Sequence, residues 1–337
     1  MANEGLCGLV NMGNSCYLNS CMQIISNTYE LNHFLETSNF RETLEHIPES
    51  VLVLEWNRLR NALWREPNKL VIPSGFVSSV RTVAKFKKKS DFTGNRQNDM
   101  QEYLVFILEC FHIALTRDRA TSSDYGNILD PRLRELLVRL YTKEYSIMIE
   151  LFNGIQISKI TDTLHSNKEL ASVPQQFFTI TLPIPPSNNS NNLSVYSCLD
   201  LYCKCENLSG DNAWLNEETN KKQDVNISIL FWKLPEILIL CLNRFNNNGK
   251  KIKSFVNIPV NDVDFSKYVI GPNKSTYIYD LYGICNHHGE SGGGHYTSYV
   301  KNPNGKWYWF NDSNVSEIME DKIVTLDAYC IFYRIKK

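Results

Sequence analysis

No stretch of this chain is apolar for long enough to cross a bilayer. The greasiest segment, ISILFWKLPEILILCLNRF, is broken by Lys233, Pro235 and Glu236, whereas a spanning helix needs roughly 20 apolar residues. The N-terminus lacks the basic stretch and apolar core of a secretory leader. Neither sign of charge is in excess. The 35 Lys and Arg against 36 Asp and Glu leave a net charge of −1, which offers nothing to a nucleic acid or an anionic membrane. The local cluster KFKKK, Lys85–Lys89, reads as a solvated loop. Cysteine is also scarce: ten in 337 residues are far fewer than a disulfide scaffold carries. They are read as reduced thiols of a cytoplasmic and/or nuclear protein. No internal repeat is evident, and a monomer with neither nucleic-acid nor membrane partners is expected.

What is present divides into two halves. To about Thr142 the pattern is helical. After Ser15, a candidate N-cap, Leu18, Cys21, Met22 and Ile25 recur at i, i+3, i+4 and i+7. DMQEYLVFILECFHIAL predicts a second helix capped by Asp99, with Met100, Tyr103, Leu104, Ile107, Phe111 and Ala114 as its stripe. DPRLRELLVRLY predicts a shorter one. From Ser146 onward the pattern predicts strands. YSIMIELFNGIQISKIT and QQFFTITLPI are rich in β-branched and aromatic residues. PIPPSNNSNNLS predicts a solvated loop, LPEILILCLNRF a buried strand, and NRFNNNGKKIK a hairpin turn. YIYDLYGICNH, HYTSYVK and KWYWFND supply the last strands. The reading is α+β, a helical N-terminal lobe followed by an antiparallel-sheet lobe.

The chemistry starts at GLVNMGNSCYLNSCMQII. A helix beginning near Cys16 puts its thiol at the positive end of the helix dipole, which favours the reactive thiolate. Gly13, Asn14 and Ser15 can form the entry turn. Asn11 can add an amide donor to the backbone N–H groups there, the equipment of an oxyanion hole. The bland alternative is a buried cysteine in a capped helix.

A cysteine nucleophile needs a base. Of the 7 histidines, His295 stands out, because Gly292, Gly293 and Gly294 precede it at a loop–strand junction. Glycines there suit close passage of another backbone. His287 and His288 read as strand-end or loop residues. The base needs an orienting acceptor. Counting back through the turn in KNPNGK places Asn311 or Asp312 opposite His295, according to whether the turn uses three or four residues.

Together these motifs resemble those of the ubiquitin-specific proteases, papain-like cysteine deubiquitinases. GLVNMGNSCYLNSCMQ resembles the family's cysteine box, GGHYTSYV with KWYWFND its histidine box, and RQNDMQEYL the box between them. The resemblance runs from Gly5 to Tyr333. It implies Cys16 as nucleophile, Asn11 as oxyanion donor, His295 as general base, Asn311 as the third triad member and Asp312 as a possible assistant. It further implies that Gln97, Asp99, Gly293, Gly294 and Tyr296 line the cleft for ubiquitin's C-terminal tail. The implied fold is a single catalytic domain over 1–337. Residues 1–145 would form the thumb and 146–337 the palm and fingers, the fingers at about 150–175 and 205–235.

Many relatives carry two Cys-x-x-Cys pairs at the fingertips, a zinc site. The matching stretches here, SKITDTLHS and NAWLNEETNKK, hold no cysteine. Cys198, Cys203 and Cys205 read as ordinary buried or edge thiols, so no metal and no cofactor are expected. The implied function is thiol-dependent hydrolysis after the terminal glycine of ubiquitin, on polyubiquitin or ubiquitinated proteins, through a thioester. The rivals are a ubiquitin-binding pseudoenzyme and a protease for another ubiquitin-like modifier. A general papain-like endopeptidase would need no fingers insertion.

Overall fold

The computed structural model describes residues 5–65, 70–120, 125–163, 168–186, 193–216, 219–246, 249–272, 277–290 and 293–337. Gly292 and parts of the Asn-rich and fingertip stretches named above (164–167, 187–192, 217–218 and 247–248) lie outside the described residues.

Helices come first: α1 (Cys16–Ser26), α2 (Tyr29–Thr37), α3 (Pro48–Arg65), α4 (Ser74–Phe86), α5 (Met100–Leu115) and α6 (Pro131–Val138). Asp99 caps α5 as its sequence predicts, its Oδ1 accepting from Gln101 N at 2.8 Å and Glu102 N at 3.1 Å. α1 departs from expectation twice. Ser15 makes no side-chain cap; its Oγ accepts from Met12 N at 2.8 Å instead. And α1 buries every residue rather than one stripe, because it is sandwiched between α5 and the strands β10 (Ile278–Glu290) and β11 (Gly293–Lys301).

The segment after Tyr145 corrects the strand expectation. Ile147–Phe152 is a helix, α7. Ser146 Oγ accepts from Ile149 N at 3.3 Å, and the turn sends Met148, Leu151 and Phe152 into one core and Ile149 into another. A strand has only two faces and cannot deliver that split, so tertiary burial overrides the β-branched propensity.

Beyond α7 come β1 (Gly154–Asp162), β2 (Glu169–Phe177), β3 (Ile180–Pro183), α8 (Val195–Tyr202), β4 (Glu206–Leu208), β5 (Trp214–Asn216) and β6 (Lys221–Gln223). Then follow β7 (Val225–Lys233), β8 (Ile237–Asn243), β9 (Val263–Asp264), β10, β11, β12 (Trp307–Asn311), β13 (Asn314–Ile318) and β14 (Ala328–Ile335). One antiparallel sheet has the order β2-β1-β7-β4. A larger one runs β13-β12-β11-β10-β14-β8-β3, with β9 on β10 and only the β3–β8 pair parallel. QQFFTITLPI is therefore divided: β2 ends in the smaller sheet and β3 begins in the larger.

Both faces of the larger sheet are covered. Along β8, Ile237, Ile239 and Cys241 join the core shared with the helices, while Leu238, Leu240 and Leu242 join a second core with α8. This explains the unbroken apolar run ILILCL. Each fully buried side chain of this kind contributes roughly 1.5–3 kcal/mol. The result is an α+β fold in which α1 packs along the larger sheet.

Candidate active site

Cys16 opens α1 and lies against β11, where the backbone N–H of Tyr296 points at its Sγ. His295 precedes Tyr296 on β11, so the element that carries it packs against the one that carries Cys16. The thiol is 3% exposed. Burial pushes its pKa above the usual value and the nearby Asp312 carboxylate pushes the same way; the N–H groups of Tyr296, Tyr17 and Cys16 pull it down, but by less. The N–H groups at the helix end do pull toward the thiolate as expected, but desolvation outweighs them and raises the thiol's pKa.

His295 Nε2 lies 2.7 Å from Asn311 Oδ1. That oxygen only accepts, so Nε2 carries the proton and Nδ1 is the basic nitrogen. The geometry revises the hairpin count. The turn closes with Asn302 N donating to Lys306 O at 2.9 Å, and the register pairs Ser298 with Phe310. One step further, Asn311 stands across from Thr297, not His295. It reaches His295 diagonally, because His295 and Thr297 share a face of the strand.

Asp312 points elsewhere. It follows β12 with φ 48°, a left-handed conformation that Asp tolerates. Its Oδ2 accepts from Asn11 Nδ2 at 2.9 Å, its Oδ1 from Asn19 Nδ2 at 2.7 Å, and its carbonyl from Leu9 N at 2.8 Å. The turn thus ties the N-terminal segment to the sheet. Gly8 permits the approach, since a Cβ there would lie 2.2 Å from the Ser313 carbonyl oxygen. Asn11 Oδ1 accepts from Gly13 N at 3.0 Å and Ser15 N at 3.1 Å, which fixes its amide.

Gln97, Asp99, Gly293, Gly294 and Tyr296 line one cavity of about 280 Å³, together with Asn98, Phe245, His287 and Glu290. Gln97 Nε2 donates to Gly294 O, and Gly294 N donates to Gln97 Oε1, each at 2.9 Å. Asp99 is a strut: beyond capping α5, its Oδ2 accepts from Tyr329 OH at 2.7 Å and Tyr296 OH at 3.4 Å. The glycine requirement at Gly294 is internal. A Cβ there would sit 2.4 Å from the His288 carbonyl oxygen and 2.5 Å from His287 Nε2. His287 and His288 both lie within β10, paired with Tyr296 and His295. His287 is buried and its pKa falls to about 4, through burial first and then the Lys251 ammonium. His288 is tied to Asp327, Nδ1 to Oδ2 at 2.9 Å.

Among the described residues no group of His, Cys, Asp and Glu is arranged to hold a metal ion. Cys198 is buried, Cys203 half-buried and Cys205 exposed. Burial pushes the thiols of Cys198 and Cys203 up to about 11, away from the thiolate that a metal takes. No described helix is long and apolar enough to cross a membrane.

Sequence reasoning overlooked Asn19, Phe245, Glu290 and Tyr329, and read His287 only as a strand-end or loop residue. Asn19 left one signal: three residues after Cys16, it shares that residue's side of the helix. His287, Glu290 and Tyr329 are brought in by strand pairing, and Phe245 by the loop that follows β8.

A model of the ubiquitin carboxyl-terminal hydrolase family matches residues 7–333. Ubiquitin carboxyl-terminal hydrolase 2 of Bos taurus is 30% identical over 98% of this chain and 55% of its own. The Gallus gallus protein of that name is 31% identical over 98% of this chain and 94% of its own. The chain spans about half the length of the mammalian relatives. Among solved structures, the SAGA Ubp8/Sgf11/Sus1/Sgf73 DUB module bound to ubiquitin aldehyde is similar with a TM-score of 0.75 at 25% identity, over 99% of this chain and 70% of that one.

Proposed function

This chain belongs to the ubiquitin carboxyl-terminal hydrolase family, and from that premise we propose that it is a cysteine-type deubiquitinase. It hydrolyses the isopeptide or peptide bond after ubiquitin's C-terminal glycine. The observation that carries the reading is the junction of α1 with β11. There the Cys16 thiol meets the Tyr296 N–H, and the preceding residue of β11, His295, has its Nε2 held by Asn311 at 2.7 Å.

The raised thiol pKa favours a neutral resting pair over a preformed ion pair. As the substrate glycine carbonyl enters, His295 Nδ1 takes the thiol proton and Sγ attacks the carbonyl carbon. The oxyanion is received by the second Nδ2 hydrogen of Asn11 and by the Cys16 N–H, which has no partner within the helix by its position. Removing one such donor costs about 3 kcal/mol in the barrier. The imidazolium then protonates the leaving amine. Water, deprotonated by the same ring, clears the thioester. Asn311 is uncharged, so it orients the ring more than it stabilises the cation. The cavity lined by Gln97, Gly293, Gly294 and Tyr296 suits an extended tail ending in glycines, whose missing side chains let it pass between the two walls.

The test is a ubiquitin–fluorophore turnover assay beside electrophilic probes built on ubiquitin and on other ubiquitin-like modifiers. The wild-type chain is expected to turn over ubiquitin–fluorophore and to be labelled by the ubiquitin probe, with both lost in Cys16→Ala. Labelling by a different modifier alone would reassign the substrate. Turnover by Cys16→Ala would sink the mechanism.

A further inference from the structure

Two asparagines bracket the Asp312 carboxylate. Asn11 Nδ2 donates to Oδ2 at 2.9 Å, and Asn19 Nδ2 donates to Oδ1 at 2.7 Å. We propose that Asn19 is a positioning residue for the oxyanion site: through Asp312 it holds the Asn11 amide with its second N–H turned toward the reacting carbonyl. The inference rests on the reading of Asn11 as oxyanion donor and adds a residue to it.

A primary amide can present either end, and here both ends are specified. The Gly13 and Ser15 N–H groups that meet Asn11 Oδ1 can only donate, and the carboxylate that meets Nδ2 can only accept. The turn orients one end of the amide and Asp312 the other. Asp312 needs an anchor of its own, because it sits in a turn with its side chain reaching between the lobes. Asn19 supplies it from the buried first turn of α1, at 1% exposure. The same Nδ2 faces the carbonyls of Leu9 and Val10 at 3.4 Å each. One side chain therefore ties both the segment leading to Asn11 and the carboxylate that orients it.

The cost of placing Asn19 there supports the assignment. Its Oδ1 is buried without a hydrogen-bond partner, a penalty that packing alone does not explain. Its donor is neutral, so it anchors the carboxylate without introducing a cation that would compete with Asn11 for it.

The test is a donor–acceptor swap read by ubiquitin–fluorophore kinetics, with Cys16 alkylation by iodoacetamide as the control, since alkylation builds no oxyanion. Asn19→Asp and Asp312→Asn are each expected to lower kcat roughly tenfold or more, with KM and the alkylation rate within about twofold of wild type. The double swap restores one donor–acceptor bond to Asn11 and one between the exchanged partners, and most of kcat is expected to return. Asn19→Ala adds no charge and keeps the test open if Asn19→Asp fails to fold; the same selective loss of kcat is expected. Wild-type kcat in Asn19→Ala, a parallel fall of kcat and alkylation, or no recovery in the double swap overturns the proposal. Asn11→Ala separates the two readings. If it leaves kcat unchanged, the oxyanion reading fails. If it lowers kcat while Asn19→Ala does not, only the role of Asn19 fails.

Discussion

The side chain of Gln97 and the backbone of Gly294 form a closed pair of hydrogen bonds, each 2.9 Å, across the cleft. The glutamine amide stands in for a neighbouring strand and holds the loop before α5 to β11. Two such neutral bonds are worth about 1 kcal/mol each. Gln97→Ala is expected to raise KM for ubiquitin–fluorophore roughly threefold to tenfold, with a smaller change in kcat. Steady-state kinetics check this, and an unchanged KM removes Gln97 from the tail site.

The diagonal contact between His295 and Asn311 gives a graded expectation. Asn311→Ala leaves the base in place but frees its ring, so kcat should fall on the order of tenfold, a fraction of what general acid–base catalysis supplies. Cys16→Ala should abolish turnover. Single-turnover assays on both variants measure the gap. Equal losses would mean that Asn311 does more than orient the ring.

His287 makes stability depend on acid. Burial lowers its pKa from 6.5 to about 4, so the unfolded chain takes up the proton first as pH falls. The stability contributed by the neutral ring is present above pH 6.5 and is lost between there and about pH 4. Thermal melts across this window should show the wild-type Tm falling more steeply than that of His287→Gln. Parallel curves would place the acid sensitivity elsewhere.

Gly294→Ala tests the packing of β10 against β11. The added Cβ would meet the His288 carbonyl oxygen at 2.4 Å and the His287 ring at 2.5 Å, neither the free end of a flexible chain. A loss of about 1–3 kcal/mol in unfolding free energy is expected, along with reduced turnover as His295 shifts. Denaturant unfolding and ubiquitin–fluorophore assays read the two effects. An unchanged stability would mean that β10 yields more easily than its register suggests.

Much of this architecture was legible beforehand. The Asp99 cap, the apolar stripe of α5 and the buried run of β8 are local patterns, and local patterns survive folding when packing agrees with them. The segment after Tyr145 shows the limit. Its β-branched residues favour a strand, but two cores draw its side chains in directions that only the helix α7 satisfies.

The sequence by itself determined which residues are the candidates for the chemistry, because Cys16, His295, Asn311 and Asn11 sit in short motifs with distinctive neighbours. The tertiary structure decided what those residues face. It turned Asp312 to Asn11 and Asn19 rather than to His295, made His287 a wall of the cleft, and buried Cys16 so that its pKa rises. The physical reason is that a motif specifies side-chain type and local backbone, whereas hydrogen-bond partners and desolvation are set by strand register and burial between residues hundreds of positions apart.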